Sequence, residues 1–281
     1  MARVPHVPLA QLPTPREPML RLSAELGGPR IWVKRDDQTG LAMGGNKVRK
    51  LEYLLAEAQE LDADIVLTTG ATQSNHCRQT AAAAARLGLD CELLIEHRFP
   101  DWTDDYRHGG NLQLGRLLGA SVLDFDKGTD TTVEMDRRAD ELRAEGRTPY
   151  VVPLGGSNVV GALGYRTAAV EILRQSDDRG FEPCEIVHAT ASGGTQAGLV
   201  AGLAIKRSEV PILGISAGAP ESYLGPIVRD LAEGVFDLIG IERSLGPHAV
   251  VIDDSHVGEA YGIPTEGMHE AVAMCARLEG L

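Results

Sequence analysis

Lys47 lies in Gly44-Gly45-Asn46-Lys47, where a β-like stretch gives way to a helical pattern, and a second loop of the same kind follows at Gly70-Ala71-Thr72-Gln73-Ser74-Asn75-His76. A lysine at a helix start among glycines can reach a bound ligand while first-turn backbone N–H groups remain free to hold anions. That combination points to Schiff-base chemistry. A third loop, Ser192-Gly193-Gly194-Thr195, supplies small residues, hydroxyl donors and unpaired amides at another helix start, which suits a phosphate. Each feature alone has an ordinary explanation: a surface lysine, a Ser/Thr cap, a tight turn. Their occurrence together suggests a phosphorylated, planar cofactor.

The elements that would position these loops follow from hydrophobic periodicity. Short runs rich in β-branched residues, at 31–34, 65–68, 91–95, 121–125, 150–152, 185–189 and 212–216, alternate with helical patterns at 48–61, 76–87, 111–118, 132–145, 162–175 and 196–206. The last helical pattern, around 268–276, runs to the end of the chain without a following strand. Such alternation predicts an α/β fold with mostly parallel sheets flanked by helices. Lys47 then falls in the first turn of a helix, and Ser74 and Asn75 are natural caps for the next. Glycine clusters near 44 and 155 mark crossings between two lobes, a smaller one at 46–155 and a larger one formed by 1–45 with 156–281.

Composition narrows the function classes. With 281 residues, 43% of them apolar, the chain can bury one large core or two modest ones. Forty acidic residues against 27 basic ones give a formal charge of −13 without a basic stripe, which argues against nucleic acid or an anionic membrane as partner and for a small molecule. No apolar run approaches the roughly 20 residues that cross a bilayer. Cys77, Cys91, Cys184 and Cys275 are scattered, and Met1-Ala2-Arg3-Val4-Pro5 has no apolar signal core, so a reduced, cytoplasmic protein is expected. There is no G-x-x-x-x-G-K-[ST] loop, no G-x-G-x-x-G, no H-E-x-x-H and no G-x-S-x-G. Asp36-Asp37, after Lys34-Arg35, reads as an ion-paired loop, and no metal is expected.

Lys34-Arg35-Asp36-Asp37, then Gly44 to Glu52, Gln73-Ser74-Asn75-His76 and Arg78-Gln79-Thr80-Ala81-Ala82 together resemble the D-cysteine desulfhydrase and 1-aminocyclopropane-1-carboxylate deaminase family. The likeness continues through Gly155-Gly156-Ser157-Asn158, Gly161-Ala162-Leu163-Gly164-Tyr165, Ser192-Gly193-Gly194-Thr195-Gln196-Ala197-Gly198 and Tyr261-Gly262-Ile263-Pro264, and covers essentially the whole chain. It implies a fold type II enzyme of the tryptophan synthase β-like kind that uses pyridoxal 5'-phosphate. Lys47 would bind the cofactor and move a proton. Asn75 would bond the cofactor's phenolic oxygen. Ser192, Gly193, Gly194 and Thr195 would hold the phosphate. Ser74, Asn75 and His76 would meet the substrate, with Ser74 on its carboxylate and Tyr261 facing it.

The implied reaction is loss of a β-substituent from a small amino acid, giving pyruvate and ammonia with sulfide from cysteine or sulfite from cysteate; L-cysteate sulfo-lyases belong to the same family. The deaminase pattern usually has Gln where this chain has His76, which counts against ring opening of aminocyclopropane carboxylate. A homodimer is also implied. Relatives continue past the segment matching Arg277-Leu278-Glu279-Gly280-Leu281 into an Asp-Pro-Val-Tyr stretch and a late strand that carry a pyridine-nitrogen partner and a tyrosine. Their lack here makes lower stability, dependence on oligomerisation and weak activity expectations, with a binding-only protein as the alternative. A nucleotide-binding oxidoreductase on a doubly wound sheet is the remaining reading, and its fingerprint is missing.

Overall fold

The computed structural model describes residues 4–99 and 102–281; residues 1–3, part of the N-terminus read above for a targeting signal, lie outside it. The chain runs β1 (Arg16–Pro18), α1 (Leu20–Leu26), β2 (Trp32–Lys34), α2 (Lys47–Glu60), β3 (Ile65–Ala71), α3 (Asn75–Leu87), β4 (Asp90–His97), α4 (Asp104–His108), α5 (Gly110–Leu117), β5 (Ser121–Asp126), α6 (Thr131–Ala144) and β6 (Pro149–Val152). It continues through α7 (Val159–Asp177), β7 (Ile186–Thr190), α8 (Gly194–Lys206), β8 (Ile212–Ser216), α9 (Glu221–Leu238), β9 (Val251–Asp253) and α10 (Glu266–Glu279).

Two parallel sheets carry the fold. One has the order β5-β4-β3-β6 and the other β7-β8-β9. Strand β3 is buried from Ile65 through Gly70, its two threonines included, because helices cover both of its faces. Val66 packs with Val48, Leu51, Leu54 and Leu55 of α2 and Ala81 and Ala84 of α3, whereas Ile65 and Leu67 pack with Met135, Ala139 and Leu142 of α6. Around the second sheet, α7, α8 and α9 bury Leu163, Leu199, Leu203, Val228 and Phe236. Helix α2 also lies against α7, and Gly164 allows the close approach: a Cβ there would sit 2.2 Å from the carbonyl oxygen of Arg49.

The stretch at 31–34 differs from its expected place. It pairs antiparallel with Arg16–Pro18 in a two-stranded ribbon outside both parallel sheets. The segment after it is tied into the core by charge. Arg49, 1% exposed, donates to Asp36 at 2.9 Å and to Glu171 at 2.9 and 3.0 Å, and Lys34 meets Glu171 at 2.5 Å. Burial opposes ionisation of Asp36, but the Arg49 charge and hydrogen bonds from Arg49, Tyr165 and Thr14 hold its carboxyl below the usual carboxylate range. Asp37 instead pairs with Arg35 at 2.8 Å. The cluster fixes the N-terminal turn of α2, two residues past Lys47, against α7.

Candidate active site

Lys47 opens α2, and the geometry that delivers it begins with its neighbours. Gln79, fully buried on α3, accepts from the backbone N–H of Val48 at 3.1 Å and donates to the carbonyl of Asn75 at 2.9 Å, so one side chain ties the first turn of α2 to that of α3. Arg78 extends the brace: it donates to the carbonyls of Ala42 and Gly44, to Asn111 at 2.8 Å and to Asn75 Oδ1 at 3.2 Å. The glycine loop before Lys47 and the loop before α3 are therefore one unit.

The Lys47 amine donates to Asn46 Oδ1 at 3.1 Å. Burial lowers its pKa from 10.5 to about 8. On the other side stands Gly155, with φ +67°. A Cβ at that position would lie 2.4 Å from Ser192 Oγ and 3.6 Å from Lys47 Cε, so the lysine side chain and the start of the 192–195 loop face each other across a space only glycine leaves open.

Loop 192–195 has spare donors. Gly193, the cap residue of α8, has no side chain with which to cap it, and Ser192 Oγ lies 2.8 Å from Ser157 Oγ. Gly194 N donates to Ser157 at 3.2 Å. The half-buried Thr195 brings its hydroxyl to the same turn. Beneath them Lys50, 1% exposed, donates to the carbonyl of Gly155 and to Ser157 Oγ, both at 3.1 Å. Burial, and then the nearby Lys47 charge, push its amine well below the ordinary lysine value. Lys50 was missed in the sequence, although its place three residues after Lys47 puts both on one helix face.

Ser74 caps α3 by accepting from Cys77 N at 3.2 Å, which leaves its own hydroxyl hydrogen free to donate. The exposed Asn75 is oriented by its surroundings: its Oδ1 accepts from Arg78 and from Asn111 at 2.9 Å, so its amide hydrogens face outward as donors. His76 is turned into the core and not toward the loop surface. It is 4% exposed, and its Nε2 lies 2.7 Å from Thr68 Oγ1. Since that hydroxyl gives its one hydrogen to the carbonyl of Val152, His76 Nε2 carries the proton. Burial, reinforced by the Lys47 and Lys50 charges, keeps the imidazole neutral. Tyr261 is 49% exposed in the segment after β9, with Arg98 5.7 Å from its ring centre.

A half-buried, lowered-pKa lysine beside a glycine-rich helix start with unspent hydrogen-bond donors fits a phosphate-bearing aldehyde cofactor, and the chain belongs to the family of pyridoxal-phosphate-dependent enzymes, whose model matches residues 7–281. Its fold is that of the fold type II members. A D-cysteine desulfhydrase of Klebsiella pneumoniae is 40% identical over 281 residues, all of this chain and 84% of the relative. A 1-aminocyclopropane-1-carboxylate deaminase of Methylobacterium nodulans is 40% identical over 279 residues, 98% of this chain and 83% of the relative. The crystal structure of an ACC deaminase homologue superposes with a TM-score of 0.89 at 34% identity, over 99% of this chain and 82% of that one. No helix among the described residues is long and apolar enough to cross a membrane.

Proposed function

We propose that this enzyme is a lyase that removes a β-substituent from a small amino acid, releasing pyruvate and ammonia with sulfide from cysteine or sulfite from cysteate. The observation that carries the reading is the Lys47 amine, lowered to about 8 by burial and set across Gly155 from Ser192. Pyridoxal phosphate, when bound, withdraws electrons from the substrate carbon that loses its proton. The chain's residues do the rest. Lys47 binds the cofactor and takes the proton with its neutral amine. The outward amide of Asn75 donates to the cofactor's phenolic oxygen, and the first turn of α8 with Ser192, Gly193, Gly194 and Thr195 holds its phosphate. Ser74 donates to the substrate carboxylate at the start of α3, where the helix dipole favours an anion. Tyr261 faces the same space.

Ring opening of 1-aminocyclopropane-1-carboxylate is the second reading, favoured by the equal identity to the Methylobacterium relative. The inward-facing ring of His76 means that this position does not discriminate between the two by direct contact. A cytoplasmic location accords with the four free cysteines. A homodimer belongs to the same reading, with exposed Leu20, Leu26, Met268 and Val272 on the mutually packed α1 and α10 as apolar surface available to a second copy. The test is product analysis with D-cysteine, L-cysteate and 1-aminocyclopropane-1-carboxylate supplied separately to the cofactor-loaded enzyme. Pyruvate from either of the first two supports the leading reading; 2-oxobutanoate from the third alone replaces it with the second.

A further inference from the structure

Three adjacent strands of the four-stranded sheet end side by side beneath the Ser74 loop. Thr72 follows the end of β3, His97 is the last residue of β4, and Asp124 lies on β5. His97 Nε2 is 2.8 Å from Asp124 Oδ1, and His97 Nδ1 is 3.1 Å from Thr72 Oγ1. An ionised carboxylate only accepts, so Nε2 carries the hydrogen toward Asp124. In the neutral ring, Nδ1 is then a lone pair that accepts from the Thr72 hydroxyl. Thr72 is 2% exposed, and its hydroxyl is shared between His97 and the Tyr106 hydroxyl, so removing it leaves part-buried partners unmatched, which is costly.

The consequence lies in the backbone. Ser74 N donates to the carbonyl of Ala71 at 2.9 Å, so Thr72 and Gln73 are the two central residues of a tight turn that delivers Ser74 and Asn75 to the site. Gln73 is held from one side: it donates to the carbonyls of Tyr106 and Gly109 at 2.6 and 3.0 Å and accepts from Asn111 N at 2.8 Å. The side chain of Thr72 is held from the other, by His97.

We infer that His97, oriented by Asp124, is a positioning residue that sets the Thr72 turn and thereby the aim of the Ser74 hydroxyl at the substrate carboxylate. The inference rests on the reading of loop 70–76 as the carboxylate site. Its effect falls on substrate binding more than on the cofactor, since Asn75 is held separately by Arg78 and Asn111 and none of the three side chains bonds the Lys47, Gly155 or Ser192 group.

The test is steady-state kinetics of the holoenzyme with whichever of the three amino acids it turns over, on Thr72→Val, Thr72→Ser, His97→Leu and the Thr72→Val/His97→Leu double variant. We expect KM to rise about tenfold in Thr72→Val and His97→Leu, as for loss of one buried hydrogen bond, with kcat within about twofold of the parent. The double variant should be no worse than either single, and Thr72→Ser should restore the parental KM. An unchanged KM in Thr72→Val, or a kcat loss with KM constant, would overturn the assignment. Should His97→Leu fail to fold, the isosteric Thr72→Val and its Thr72→Ser rescue still decide. Absence of turnover by the parent itself would instead count against the lyase reading.

Discussion

The β3–α3 loop and the β7–α8 loop occupy equivalent places, each leading from the carboxyl end of a parallel strand into a helix, yet they are built in opposite ways. The first is braced by side chains: Ser74 caps the helix, Gln73 and Asn111 interlock, and Arg78 and Gln79 fasten it to the start of α2. The second is built of small residues, with Gly193 offering no side-chain cap and Ser157 the side chain that reaches its Gly194 amide. A braced loop fixes the aim of individual side chains, which selection among amino acids demands. A loop of small residues keeps its amides available, which a phosphate demands.

This contrast can be broken from either side. The largest effect should come from Arg78→Ala, which strips hydrogen bonds from the buried carbonyl of Gly44 and from Ala42 and loosens the braced loop; a loss of about 2–4 kcal/mol in urea unfolding is expected. Gly155→Ala attacks the other loop. It places a methyl group 2.4 Å from Ser192 Oγ at a positive φ, so cofactor affinity should fall roughly 10–100-fold, measured by titration of the visible cofactor band, corresponding to about 1–3 kcal/mol of strain.

The pH dependence sharpens the account of Lys47 itself. Its amine is protonated below about 8 and neutral above, so the rate of cofactor capture by apo-enzyme should drop about tenfold per pH unit on the acid side and level off above that value. A rate still climbing in step with pH up to the ordinary lysine value of 10.5 would mean that the amine is not desolvated. The smallest effect belongs to Ser74→Ala. Loss of the cap should cost about 1 kcal/mol in urea unfolding, together with a raised KM and an unchanged cofactor band.

Much of this was legible in the sequence because local patterns carried it. Lys47 at a helix start, Ser74 as a cap and the 192–195 turn each follow from residue type and neighbours, and the alternation of apolar runs with helical periods predicts the parallel sheets. What stayed hidden depends on partners far along the chain. Asn75 faces outward because Asn111, 36 residues on, occupies its oxygen. His76 carries the same letter whether it meets substrate or core, and only the Thr68–Val152 pair turns it inward. The strand at Val251–Asp253 and the helix Glu221–Leu238 were not assigned from sequence; the strand is three residues long and the helix carries Pro226 within it, which weakens its signal.

The central claim is that the Lys47 amine captures the cofactor in this site. Visible absorption of the purified chain, recorded after addition of pyridoxal phosphate and again after D-cysteine, with Lys47→Ala alongside, tests it directly. The account predicts a cofactor band in the parent that changes with substrate and is absent in the variant. A band of equal strength in the variant would place the covalent attachment on another amine and contradict the account.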